Sequence, residues 1–91
     1  MTKEESIKEL ISIPGVGKSL SANLYCLGIK KVTYLQNKKS EVLYSKLNRI
    51  KGVINYRCVL YVFRCAVYYA NTPEKEIDPE LLKWWNWKDV K

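Results

Sequence analysis

The 91-residue sequence contains no histidine. That removes the side chain most used as a general base near neutral pH, and it removes the imidazole from any triad or metal site. Acidic residues are nearly missing from the middle of the chain. Residues 10–71 carry ten Lys or Arg against Glu41 alone, a local charge of +9, while residues 1–9 and 72–91 each sum to −1. Long apolar runs are missing too. The longest, Cys58 to Ala70, is broken by Arg64 and falls short of the roughly 20 residues that span a bilayer. Three cysteines without a signal peptide point to reduced thiols in a soluble, cytoplasmic protein. Cys58 and Cys65 share a helical face at i, i+7, yet stand roughly 10 Å apart along the axis, too far for one metal or an unstrained disulfide. Both are expected as packed thiols. These absences point to a non-enzyme with no catalytic residue, no metal and no cofactor.

The residues that are present suit one compact domain, since 47% of them are apolar. Residues 13–19 read IPGVGKS. A nucleotide-binding loop needs a glycine five positions before Gly17, where Ser12 stands, and a preceding β-strand. Here the preceding stretch has Ile7, Leu10 and Ile11 at helical spacing, opened by a Thr2/Glu5 capping box. After the loop, Leu20, Leu24 and Leu27 predict a second helix from Lys18 to Leu27, closed by Gly28. Pro14 ends the first helix, and Gly15 and Gly17 tolerate positive φ or close helix approach. The pattern Ile13-Pro14-Gly15-Val16-Gly17 resembles the helix-hairpin-helix motif of DNA-binding proteins.

Small residues leave the hairpin amides open, the second helix begins there with unsatisfied N–H groups and its positive dipole end, and Lys18 adds a charge. Such a loop suits a phosphate of a nucleic acid backbone. The alternative is that it only packs two helices together. The central charge is likewise the footprint of a polyanion binder or a solvated face.

An internal repeat extends the pattern. A shift of 37 residues lays Ile13-Pro14-Gly15-Val16-Gly17-Lys18 on Ile50-Lys51-Gly52-Val53-Ile54-Asn55 and Leu10 on Leu47. A helix from about Ser40 to Arg49, with Val42, Leu43, Leu47 and Ile50 as its apolar side, precedes the second hairpin, and one from about Asn55 to Ala70 comes after it. Val32 to Leu35 reads as a short connector helix. The expected fold is all-α: five to six helices in two helix-hairpin-helix units (1–28 and a degenerate 40–71), a connector (29–39) and a C-terminal tail (72–91). Lys51 and Ile54 replace Pro and Gly in the second hairpin, which is expected to be mainly structural.

Asn55–Ala70 is apolar nearly all round and should be the central core helix. Arg57, Tyr61, Arg64 and Tyr68 form one stripe on it, a ladder able to grip phosphates and bases or to bind another segment of the chain. The second use is favoured, because a tail with Trp84, Trp85 and Trp87 is available. Asp78 as N-cap and Pro79 at the first helical position predict a short final helix, with Leu81, Leu82 and at least one tryptophan docked on the bundle.

The hairpin, the run Arg57 to Tyr69 and the ending Asp78-Pro79-Glu80-Leu81-Leu82-Lys83-Trp84-Trp85-Asn86-Trp87-Lys88-Asp89 together resemble the small bacterial "pathogenicity locus" family. That resemblance implies a helix-hairpin-helix domain and no settled activity. The expected function is sequence-independent binding of a nucleic acid backbone, DNA first and RNA second. Gly15, Val16, Gly17, Lys18, Ser19, Lys51 and Arg57 are the candidate contacts, and Tyr61, Arg64, Tyr68, Trp84, Trp85 and Trp87 a candidate stacking or partner surface. The alternative is a protein-interaction or homodimerisation module. No membrane partner is expected.

Overall fold

Thr2 opens the first helix, α1 (Lys3–Ile11), in the computed structural model, which describes residues 2–88. Met1 and the last three positions of the tail, including Asp89 of the family-like ending, lie outside the described residues. The capping box is complete: the Glu5 amide donates to Thr2 Oγ1 and the Thr2 amide to Glu5 Oε1, both at 3.2 Å. Leu10 and Ser6 form the buried stripe of α1, while Ile11 stays exposed.

Helix α2 (Lys18–Cys26) buries Leu24 and Ser21. It ends where Gly28, at φ +87°, lets its amide bond Tyr25 O and the Ile29 amide bond Leu24 O, each at 3.0 Å. This paired closure needs a left-handed residue, which glycine supplies. Residues Val32–Leu35 form a 3₁₀ turn with Leu35 fully buried, and the Val32 amide donates to Glu9 Oε2 at 2.7 Å, tying the connector to α1.

Helix α3 (Ser40–Lys51) runs two residues past its expected end. With Lys51 where the first loop has Pro14, nothing stops the helix before Gly52, which takes φ +67°. Leu43, Tyr44 and Leu47 are its core side, whereas Val42 and Ile50, expected on that side, are exposed. Helix α4 (Arg57–Asn71) starts two residues later than expected and buries Leu60, Val62, Phe63, Cys65 and Ala66. Cys65 is buried, which pushes its thiol pKa up, but Cys58 lies on the first turn of α4 and is exposed, not packed as expected.

Helices α1 and α2 pack as one pair and α3 and α4 as another. Leu10, Leu24, Leu35, Leu47, Leu60 and Phe63 meet in a single core. Removing each such side chain from water stabilises the fold by about 1.5–3 kcal/mol. The 12.4 Å radius of gyration matches the roughly 12 Å of a chain this long folded as one compact body.

The described residues form four α-helices, not five or six, because connector and tail condense into 3₁₀ turns: Val32–Leu35, Glu74–Glu76, Pro79–Leu82 and Trp84–Trp87. The end of the tail is two short pieces separated by an extended Lys83. At three residues per turn, Trp84 and Trp87 fall on one side and are half-buried, while Trp85 points outward. Both inward indoles reach the bundle, Trp84 against the core and Trp87 on Tyr68 of α4.

Candidate functional site

Two buried side chains shape the loop joining α1 to α2. Ile13 and Val16 sit in the core, and their amides bond Leu10 O and Ile13 O at 3.1 and 3.0 Å. Val16 is thus a packing residue, with its N–H already used. Between them Gly15 takes φ +85°, a value that L side chains resist. A Cβ there would only reach ordinary contact with Trp84 Cδ1 at 3.7 Å and Val62 Cγ1 at 3.8 Å, so conformation rather than space demands this glycine.

Gly17 differs. It is the N-cap of α2 in extended geometry, and among the described residues no side chain caps the helix and, its chain neighbours aside, no atom lies within 4 Å of where its Cβ would stand. The first amides of α2 therefore open to solvent beside exposed Lys18 and Ser19. Backbone donors and the positive end of the helix dipole meet there at the residue that carries the Lys18 charge, an arrangement that suits an oxyanion.

The second loop lacks this form. The Asn55 amide and its Nδ2 both donate to Asn48 Oδ1, at 2.8 and 2.7 Å, and the Tyr44 hydroxyl donates to the Asn55 carbonyl. Asn55, which the repeat aligns with Lys18, has its amide committed inside the protein. Lys51 and Arg57 flank this loop, exposed, with the Arg57 guanidinium 5.8 Å from the centre of the Tyr44 ring.

The Arg/Tyr stripe is used within the chain. Arg64 lies over the Tyr61 ring at 5.6 Å, donates to Trp87 O at 2.8 Å and pairs with Glu41 Oε2 at 3.2 Å. Tyr68 packs on Trp87 with ring centres 5.5 Å apart, and its hydroxyl accepts the Asp78 amide at 2.9 Å. Trp84 joins the core, and Trp85 meets it edge-on at 5.8 Å.

A groove of about 770 Å³ that sequence reasoning did not identify runs beside this stripe, bringing Lys38, Lys39 and Lys88 together with Arg64. The Lys38-Lys39 pair just before α3 was the available signal. Among the described residues the single acid in the groove is Glu41, whose carboxyl is held below its usual pKa by the Ser40 hydroxyl first, then by its own backbone amide and by Arg64.

Among the described residues no helix is long and apolar enough to cross a membrane, and no cluster of three His, Cys, Asp or Glu could hold a metal. The geometry defines a small, basic, all-helical domain with an uncapped cationic helix start on its surface. The chain matches the family described as "Pathogenicity locus" over residues 3–91 and belongs to it. No curated protein and no solved structure matches the chain.

Proposed function

We propose that the two paired-helix units are helix-hairpin-helix units and that the first, through loop 12–17, binds the phosphate backbone of a nucleic acid, DNA foremost, without reading its sequence. The uncapped start of α2, with Gly17 open to solvent and Lys18 beside it, carries this reading. The central charge of +9 supports it, because a polyanion gains from every lysine near its path. Loop 52–56 is given no phosphate-cradling role, since the Asn55 amide is already bonded.

Two substitutions test the site in a titration with duplex DNA. Lys18→Glu reverses the charge and should weaken binding about tenfold, uniformly across sequences, as expected for the loss of a charged hydrogen bond. Gly17→Asp is more discriminating. The backbone there is extended and the space empty, so the new carboxylate should cap α2 and hold or raise the melting temperature while repelling phosphate. Wild-type affinity in both variants, or in Gly17→Asp alone, would remove the loop from the contact.

A further inference from the structure

The repeat places Ile50 on Ile13 and Val53 on Val16, yet the pairs have opposite fates. Ile13 and Val16 are 1% and 4% exposed, whereas Ile50 and Val53 are 61% and 59% exposed. Ile54 and Tyr56 beside them reach 87% and 85%. The cause is built into the loop. Without a proline α3 runs on through Lys51, Gly52 turns the chain at positive φ, and the Asn48–Asn55 and Tyr44–Asn55 hydrogen bonds hold the far side of the turn. The apolar residues are thus presented by a pinned loop, and a contiguous exposed apolar patch on a small protein marks an interaction site.

Charge narrows the occupant. From Lys46 to Arg57 there are four cations, Lys46, Arg49, Lys51 and Arg57, and no acid. A second copy would bring like charges together across the contact, which opposes association. A polyanion is complementary. Shape narrows it further, because exposures near 85% belong to a projection, whereas an amphipathic helix is received in a groove. An exposed phenol and an aliphatic tip between cations match the stacking of unpaired bases with neutralisation of their phosphates.

We propose that loop 52–56 is a base-contacting tip: Tyr56 stacks on an unpaired base, Ile54 and Val53 cover its neighbour, and Lys51 and Arg57 face the flanking phosphates. The protein thereby prefers single-stranded nucleic acid, or duplex with splayed bases, over regular duplex. This inference rests on the nucleic acid reading above but uses a different loop and a different chemistry, bases in place of backbone.

The experiment compares oligo-dT of about 12 nucleotides, an abasic strand of the same length and a duplex, by fluorescence anisotropy at low salt. The wild type should bind oligo-dT more tightly than the abasic strand. Tyr56→Ala should weaken oligo-dT binding about tenfold and leave the abasic strand and the duplex unchanged, while Tyr56→Phe retains most of the affinity. Ile54→Ser should behave like Tyr56→Ala. Both positions are exposed, so the fold survives the changes. Equal binding of oligo-dT and abasic strand, or an equal loss on all three ligands, overturns the tip while leaving backbone binding intact. Binding to none of them overturns both readings. Self-association in sedimentation that Ile54→Ser abolishes would assign the patch to a second copy and also overturn the proposal.

Discussion

Ser6 has its hydroxyl buried in α1 with no hydrogen-bond partner among the described residues. A buried, unsatisfied hydroxyl costs about 1–3 kcal/mol, and alanine is also the better helix former. Ser6→Ala should therefore stabilise the protein by about 1 kcal/mol and raise the melting temperature by roughly 4–8 °C. A lower melting temperature in thermal denaturation would show that the hydroxyl has a partner. The contrast with Thr2 shows what is legible residue by residue. The Thr2–Glu5 cap spans three positions and can be read directly, whereas no local signal marks Ser6 as fully buried.

The tail is the element whose role depends most on others. Asp78 caps Pro79–Leu82 by accepting the Glu80 amide at 3.0 Å, as its sequence indicates. Its attachment rests on contacts with the bundle: Trp84 in the core, Tyr68 packed on Trp87, and Arg64 donating to Trp87 O, while the bond from Trp87 Nε1 to Leu81 O at 2.7 Å braces the tail internally. Deleting residues 77–91 should uncover Val62, Cys65 and the Gly15 loop and remove much of the roughly 5–15 kcal/mol that holds a small domain folded. The truncated protein should melt far lower or fail to fold in circular dichroism. An unchanged melting temperature would show that the tail is dispensable to the fold. The Arg57–Tyr68 stripe could be recognised from helical periodicity, but Glu41 and Trp87 as partners of Arg64 could not, because they come from elsewhere in the chain.

For the whole molecule the relevant quantity is charge, and salt measures it. If about three to five phosphates are neutralised, log affinity for duplex DNA should fall against log salt with a slope of about −3 to −4.5. Affinity at physiological salt should lie near the non-specific range of roughly 10⁻⁴–10⁻⁶ M, the same for random and fixed sequences. A slope near zero would mean that the central lysines are only a solvated surface.

Local chemistry determined the helical class, the starts of α1 and α2, a short turn at Val32–Leu35 and the turn glycines 15 and 28, because caps, prolines and apolar spacing act within a turn or two, whereas Gly17, free to take positive φ by its sequence, is extended. The repeat also brought Gly15 and Gly52 into register, both at positive φ. Only the tertiary structure decided that Ile13 is buried and Ile50 bare, that Cys58 is exposed and Cys65 is not, and that the Asn55 amide is spent on Asn48 while the start of α2 stays open. A periodic pattern names a face, but burial depends on whether another part of the chain arrives to cover it. For the first loop α4 and Trp84 arrive, and for the second nothing among the described residues covers Ile50, Val53, Ile54 and Tyr56.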